Sequence, residues 1–141
     1  MELILASGSP RRLELLRQIG LEPRVVVSRS EEEKTDRDPA HLVCHNALAK
    51  GQDVCSRLGD QVPILAADTV VALDGEILGK PRDRQEAAAM LRKLSGRSHQ
   101  VLTGLALFYR GKVLTHVETT QVQFSLLSEE DIAGYIRTGE P

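Results

Sequence analysis

The chain has 141 residues, 41% of them hydrophobic, which is enough for one domain with a substantial core. Its 18 basic and 20 acidic side chains leave a formal net charge of −2, and Trp is absent, so neither a basic nucleic-acid surface nor a base-stacking platform is indicated. The opening apolar run is too short for a signal peptide or a transmembrane helix. Cys44 and Cys55 lie on one predicted helix, roughly 16 Å apart, too far to form a disulfide with each other. We therefore expect a cytoplasmic protein without nucleic-acid or membrane partners.

An apolar run at residues 3–6 predicts the first strand, and a polar turn with the sequence Ser-Gly-Ser-Pro-Arg-Arg follows it. Ser9 suits a helix N-cap, Pro10 the first helical position, and Gly20 the end of the helix. Its buried stripe is predicted to consist of Leu13, Leu16 and Ile19. Backbone N–H groups, two hydroxyls and two guanidiniums then meet at the positive end of the helix dipole, an arrangement typical of phosphate sites. An ordinary cap followed by two solvated arginines explains this pattern equally well.

Residues 24–28 predict a second strand, and the connection after it carries the three adjacent glutamates Glu31, Glu32 and Glu33. Such a run is usually a solvated loop, but a carboxylate just past a strand end is also placed to meet a cation. The sequence alone does not decide between these two interpretations.

A long helix is predicted from residues 38–39 to about residue 58, with Gly59 at its end. Its apolar face is marked by Val43, Ala47, Val54 and Leu58. At 100° per residue, Lys50 falls about 20° from Val43 and about 40° from Val54, in the middle of the face that should be buried. The lysine either extends to the rim of that face or reaches into a cleft beside the sheet. We favour the cleft, because this helix must cover the strand that carries Asp68.

That strand, residues 62–71, is almost continuously apolar, as a central strand covered on both faces is. A carboxylate inside it is costly unless it is paired, bound to a metal or used, so Asp68 is the leading candidate for chemistry. The Asp74-Gly75 pair after it predicts a hairpin. This hairpin returns the chain towards Asp68 and brings Lys80 to the same site.

The rest of the chain predicts further alternation of helix and strand. Residues 83–86 resemble a capping box that opens a helix ending near Gly96. Residues 99–109 and 113–124 predict an antiparallel pair of strands, with His99 as a structural or solvated residue. A short helix opens near Ser128, with Ile132, Tyr135 and Ile136 facing inward. The class is therefore α/β.

Four ordered motifs carry a family resemblance: Ala-Ser-Gly-Ser-Pro-Arg-Arg at residues 6–12, Ala-Asp-Thr-Val-Val at 67–71, Gly-Lys-Pro at 79–81, and Met-Leu-Arg-Lys-Leu-Ser-Gly-Arg-Ser-His-Gln-Val at 90–101. Together they resemble the Maf (septum-formation-inhibitor-like) nucleotide pyrophosphatases. The resemblance implies a house-like α/β fold, with a central twisted mixed β-sheet flanked by helices and a deep nucleotide cleft. It also implies a single Maf-like domain over residues 1–141 that lacks its C-terminal part, because family members continue past the terminal Gly-Glu-Pro.

The resemblance implies hydrolysis of a nucleoside triphosphate between its α- and β-phosphates, with a divalent cation, Mg²⁺ or Mn²⁺. By matching positions, Asp68 is the catalytic carboxylate and holds the cation together with Glu32, for which a one-residue slip to Glu31 or Glu33 stays open. The phosphate-handling positions are Ser7, Arg12, Lys50 and Lys80.

Arg11 and Thr69 fit the branch of the family that acts on dTTP and UTP, rather than the branch that acts on 7-methyl-GTP. A non-catalytic nucleotide-binding regulator of septum formation and a phosphatase that removes the terminal phosphate are the alternatives. We expect a nucleoside triphosphate as the ligand and leave a homodimer open.

Overall fold

The computed structural model describes residues 2–29, 38–79 and 81–137. In chain order the elements are β1 (Ile4–Ala6), α1 (Pro10–Gln18), β2 (Arg24–Val25), α2 (Pro39–Leu58), β3 (Ile64–Leu73), β4 (Glu76–Leu78), α3 (Arg84–Leu94), β5 (Ser98–Tyr109), β6 (Lys112–Gln123) and α4 (Glu129–Arg137). Each predicted helix and strand is present, although β2 is much shorter than the predicted strand over residues 24–28. The α/β class is confirmed.

The strands form one mixed sheet in the order β2-β1-β3-β5-β6, with β4 beside β3. β1 runs parallel to both of its neighbours, with Ile4 opposite Arg24 on β2 and Ile64 on β3. β3 and β4 are antiparallel and are joined at Asp74 and Gly75, whose φ angles are 51° and 80°. Positive φ at both central residues is what a two-residue hairpin turn requires, so the predicted hairpin is confirmed.

The chain divides into two compact units. The first unit contains Met1–Thr69 and Thr103–Glu118, and the second contains Val70–Leu102 and Thr119–Pro141. The expectation of a single domain over residues 1–141 stays a prediction.

In the first unit, α2 covers one face of the sheet. Ile64 and Ala66 of β3 pack with Ala47 and Val54 of α2 and with Phe108 of β5 in one apolar cluster. The N-cap of α2 is Asp38, whose side chain accepts from the N–H of Ala40 at 3.0 Å. Leu58, predicted on the buried face, is 42% exposed, because it is the last residue of the helix and lies beyond the cluster.

The opposite face of the same sheet is covered less completely by α1. Ser9 caps this helix as predicted, but none of its residues is fully buried, and Ile19, expected in its buried stripe, is 72% exposed. A nine-residue helix ends before Ile19, which is its C-cap and lies outside the regular stripe. Beside α1, an apolar cavity of about 680 Å³ is lined by Leu16, Leu65 and Leu107 among others.

In the second unit, Leu91 and Leu94 of α3 and Ile132 of α4 are buried. Asp83 caps α3 by accepting from the N–H of Glu86 at 2.8 Å, as the capping-box pattern predicted. Tyr135, predicted to face inward, is 41% exposed. At 100° per residue it lies about 60° around α4 from Ile132, the fully buried residue of that helix.

His99 is buried in the second unit at 5% exposure, so its structural interpretation is confirmed and its solvated one is wrong. None of the helices in the described part of the chain has the length and apolar character needed to span a bilayer.

Candidate active site

The centre of the candidate site is Asp68, which is 4% exposed in the middle of β3. Its two carboxylate oxygens are held by two different side chains of α2. Asn46 Nδ2 donates to Oδ2 at 2.9 Å, and Lys50 Nζ lies 3.4 Å from Oδ1. The carboxylate is therefore both hydrogen-bonded and paired with a cation, as a buried charge must be.

Lys50 lies over the strand rather than at the rim of the helix. Its ammonium also donates to the backbone carbonyl of Ala67 at 3.3 Å, and its side chain is only 14% exposed. The prediction that Lys50 turns towards the strand carrying Asp68 is confirmed. A lysine on the inner face of α2 is tolerated because the carboxylate and this carbonyl replace part of its hydration.

A second group of polar side chains lies at the turn after β1. Ser7 is 6% exposed, and its Oγ accepts from the N–H of Ser9 at 3.1 Å and from Arg12 Nη1 at 3.4 Å. The N–H of Arg12 in turn donates to Ser9 Oγ at 3.4 Å. Arg12 is therefore folded back over the turn, whereas Arg11 is exposed. The interpretation of two solvated arginines is wrong for Arg12 and fits Arg11.

Arg12 also joins this turn to the central strand. Its Nη2 donates to Thr69 Oγ1 at 3.0 Å, and the hydroxyls of Thr69 and Thr103 lie 3.0 Å apart. Successive side chains of a strand point to opposite faces of the sheet, so Thr69 faces α1 while Asp68 faces α2. The polar groups of the site thus come from both faces of β3.

Gly104 on β5 sets the distance between that strand and α2. A Cβ at this position would lie 2.4 Å from the carbonyl oxygen of Val43 and 2.8 Å from the backbone nitrogen of Cys44. Only glycine lets the helix backbone come this close. The approach occurs one turn before Asn46, so it fixes the height of α2 above the sheet where the helix holds Asp68.

The sequence matches the Maf-like protein family over residues 2–141. The chain belongs to that family. A dTTP/UTP pyrophosphatase of Symbiobacterium thermophilum is 52% identical over 141 residues, covering 99% of this chain and 72% of the relative. A dTTP/UTP pyrophosphatase of Shigella dysenteriae is 46% identical over 140 residues, covering 99% of this chain and 71% of the relative.

Solved structures resemble this Maf-like chain in fold. The Ham1 protein of Coxiella burnetii matches with a TM-score of 0.62 at 18% identity, covering 87% of this chain and 72% of that one. The Ham1 protein of Staphylococcus aureus matches with a TM-score of 0.60 at 16% identity, covering 87% and 71%. At these identities the likeness establishes the fold alone, which agrees with the predicted mixed sheet flanked by helices.

Two residues of this constellation were not predicted from the sequence. Asn46 lies one turn before Lys50, on the buried face of α2 between Leu42 and Val43, and a polar residue at that position was a signal for a second contact to the strand. Thr103 carried no comparable signal. Its position beside Thr69 depends on β5 being the neighbour of β3, which the sequence does not specify.

Two predicted site positions lie outside the described residues, so their roles stay predictions. They are Lys80 and Glu32, the latter with its neighbours Glu31 and Glu33.

The backbone of Arg29, three residues before Glu32, is hydrogen-bonded to α2. Asp53 accepts from the N–H of Arg29 at 2.8 Å and from Arg57 Nη2 at 2.9 Å. The hydrogen bond from the Arg29 backbone is the main cause that lowers the pKa of the Asp53 carboxyl, followed by Arg57.

The described residues can supply part of the coordination of a divalent cation. Within residues 2–29, 38–79 and 81–137, no group of three or more His, Cys, Asp or Glu side chains forms a metal cage. Asp68 supplies one buried carboxylate beside cationic groups. Mg²⁺ is often bound by one or two carboxylates together with substrate phosphates, so the residues present fit a cation that is shared with a bound nucleotide.

Proposed function

We propose that this protein is a nucleoside triphosphate pyrophosphatase that hydrolyses dTTP and UTP to the monophosphate and pyrophosphate. The observation that carries the proposal is the buried carboxylate of Asp68, which is paired with Lys50. On the same strand, Thr69 accepts a hydrogen bond from Arg12, which belongs to the turn after β1. Relatives that are 52% and 46% identical over almost the whole chain and are named dTTP/UTP pyrophosphatases support the same reaction.

The triphosphate binds at the turn between β1 and α1. The first turn of a helix has N–H groups without intrahelical acceptors, and its dipole favours an anion. Arg12 lies at this turn with a planar guanidinium suited to phosphate oxygens, and Ser7 holds the turn in shape through the N–H of Ser9. Lys50, and Lys80 by family position, add positive charge.

The reaction is an in-line displacement at the α-phosphorus. The oxygen of water forms a bond to the α-phosphorus, the bond from this phosphorus to the α–β bridging oxygen breaks, and pyrophosphate leaves with that oxygen. Asp68 orients the water and accepts its proton. Arg12 and Lys50 stabilise the negative charge that spreads over the phosphate oxygens in the transition state, where positioning and electrostatics contribute most of the rate enhancement.

A divalent cation, Mg²⁺ or Mn²⁺, belongs to this proposal, held by Asp68 and by Glu32 or one of its two neighbours. When bound, it supplies charge neutralisation at the phosphates and makes a bound water more acidic. Arg11 and Thr69 are proposed to contribute to the preference for dTTP and UTP. A cytoplasmic location and a homodimer stay predictions.

The product of the reaction tests this function. The protein is incubated with a panel of nucleoside triphosphates and Mg²⁺ or Mn²⁺, and the products are separated by anion-exchange chromatography. We expect dTMP or UMP together with pyrophosphate. Orthophosphate and a diphosphate would instead identify a terminal phosphatase. Measurable nucleotide binding without any product would favour the non-catalytic regulator.

A substitution at the carboxylate tests its assigned role. We expect Asp68→Asn to lower kcat by at least about 10³-fold, because the proton acceptor is lost while the shape of the side chain is kept. The dissociation constant of a non-hydrolysable nucleotide analogue should change less than threefold. Asp74→Asn is the matched control, because Asp74 is exposed in the β3–β4 turn and Asn tolerates its positive φ. Near-normal turnover by Asp68→Asn would contradict the assignment.

A further inference from the structure

The buried amide of Asn46 is the least expected side chain of the site. Asn46 is 2% exposed on α2, flanked by the fully buried Val43 and Ala47. A primary amide at such a position costs free energy unless its donors and acceptor are satisfied. Its 2.9 Å hydrogen bond to Asp68 Oδ2 satisfies one donor. A carboxylate can only accept, so the nitrogen of the amide must face Asp68.

The two oxygens of Asp68 lie in different surroundings. The bond from Asn46 to Oδ2 is buried and short at 2.9 Å. The contact from Lys50 to Oδ1 is longer at 3.4 Å and only partly buried. Oδ2 therefore has the shorter hydrogen bond, from a residue that is 2% exposed, whereas Oδ1 has the longer contact, with a lysine side chain that is 14% exposed.

Asn46 and Lys50 constrain the carboxylate in different ways. The terminal torsion of an aspartate is broad and roughly two-fold, so the carboxylate rotates unless a partner holds its plane. A lysine is a point charge on a flexible stem with three rotatable donors, which attracts the carboxylate without fixing that plane. The short side chain of Asn46 gives its donor a fixed direction. Because the two residues are four apart on one helix, they reach the carboxylate together.

We propose that Asn46 is a positioning residue for the reaction of Asp68. It holds Oδ2 and thereby leaves Oδ1 as the oxygen that meets the attacking water and receives its proton. Asn46 does not touch the substrate and acts only through Asp68. This inference rests on the proposed pyrophosphatase function and adds to it an assignment of the two carboxylate oxygens.

The test compares two substitutions of Asn46 with a control on the same helix. Asn46→Leu keeps a similar volume but removes the donor, and Asn46→Gln keeps an amide on a longer side chain. Val54→Ala is the control, because Val54 is fully buried in the apolar cluster on the same helix, about two turns beyond Asn46. For each variant, kcat, KM, the dissociation constant of a non-hydrolysable nucleotide analogue, and Tm are measured.

We expect Asn46→Leu to lower kcat about 10- to 100-fold, as loss of a side chain that orients a reacting carboxylate typically does. KM and the dissociation constant should change less than threefold, and Asn46→Gln should recover part of kcat. Val54→Ala should lower Tm while leaving kcat within twofold. In the Asp68→Asn background, adding Asn46→Leu should change kcat less than twofold, because the residue through which Asn46 acts is already absent.

The outcomes separate this inference from the function on which it rests. If the unaltered protein releases no pyrophosphate, the proposed function fails and this inference fails with it. If the unaltered protein is active but Asn46→Leu keeps a normal kcat, only the positioning role is overturned. Loss of kcat that is fully additive with Asp68→Asn would also overturn it. Should Asn46→Leu not fold, Asn46→Ala, which also removes the donor, carries the same comparison, and an unchanged kcat in that variant at normal KM counts against the role.

Discussion

Asp68 and His99 are both ionisable side chains buried to within a few per cent, yet they are provided with very different surroundings. Asp68, in the first unit, has a donor or cation at each carboxylate oxygen. His99, in the second unit, has a buried Nδ1 without a hydrogen-bond partner among the described residues, and its ring meets the edge of Phe124 at 4.8 Å between centroids. Burial lowers the pKa of His99 from its ordinary value, so the ring is held neutral.

This contrast shows that burial of an ionisable side chain does not by itself identify a functional site. A buried side chain whose role is packing needs only to be uncharged. His99 meets this condition, because burial lowers its pKa. A buried group that must react as an anion needs partners that keep its charge and fix its direction, and Asp68 has both. Of the four buried polar or charged residues in the described part of the chain, Ser7, Asn46 and Asp68 all lie at the candidate site, and His99 does not.

The largest expected effect comes from removing the cation beside Asp68. Lys50→Met leaves the buried carboxylate with Asn46 as its partner among the described residues and should lower the free energy of unfolding by about 3 kcal/mol at pH 7. Urea denaturation measures this loss. In the double variant Lys50→Met with Asp68→Asn no charge is left unpaired, so most of the stability should return. Lys112→Met, at an exposed position on β6, is the control. Equal stability of Lys50→Met and the control would show that Asp68 does not depend on its partner.

A smaller effect is expected from lifting α2 off the sheet without touching Asp68 or its partners. Gly104→Ala puts a methyl group against the backbone of Val43 and should cost about 2 kcal/mol of stability. It should also lower kcat, because Asn46 and Lys50 move away from the carboxylate together. Gly134→Ala on α4, where the added Cβ lies 3.8 Å from Arg137 Nη2, is the control and should lower neither stability nor kcat. A fully active Gly104→Ala would mean that the position of α2 is not critical.

The buried ring of His99 predicts that the free energy of unfolding depends on pH. Its folded-state pKa lies below the unfolded value of about 6.5, so the unfolded chain takes up the proton first as the pH falls. Stability is therefore complete above about pH 6.5 and is lost below it, until the folded ring is itself protonated. His99→Leu should narrow the difference in unfolding free energy between pH 7.5 and pH 5, because the leucine takes up no proton in either state. An unchanged difference would remove His99 as its source.

The smallest effect is expected at the hydroxyl pair on the face opposite Asp68. Thr103→Val keeps the shape of the side chain and removes the hydroxyl that lies 3.0 Å from Thr69. Loss of one partly buried hydrogen bond should cost roughly 0.5–1 kcal/mol of stability. Since Thr69 also receives Arg12, KM for the nucleotide should rise about threefold while kcat stays within twofold. A change in kcat larger than the change in KM would assign Thr103 to the chemistry of Asp68 instead.

Much of the fold follows from local sequence signals. Ser9, Asp38 and Asp83 cap the helices that their sequences predict, and the Asp74-Gly75 turn forms where it was expected. These features depend on a few neighbouring residues, which a single sequence displays. Ile19 and Tyr135 were predicted to be buried and are exposed, because burial depends on which element lies opposite, and periodicity does not report this.

Part of the candidate site could also be predicted from local sequence signals. Asp68 and Lys50 could be paired from the charge of each residue on an apolar face, since a buried charge demands a partner. Thr103 could not be found, because its contact with Thr69 requires the neighbour of β3 to be known. Asn46 lies between these cases: its position on the helix was visible, but the depth of its burial was not.

The opposite directions of Asp68 and Thr69 have a consequence for how the gene can vary. The face of the sheet to which each side chain points follows from the pairing of Ile64 with Ile4, because side chains alternate between the two faces along β3. A single codon inserted or deleted between residues 64 and 68 would exchange the two faces, pointing the carboxylate at α1 and the apolar run away from α2. Substitutions along this segment alter one contact each, whereas a change of length by one residue would dismantle the whole site.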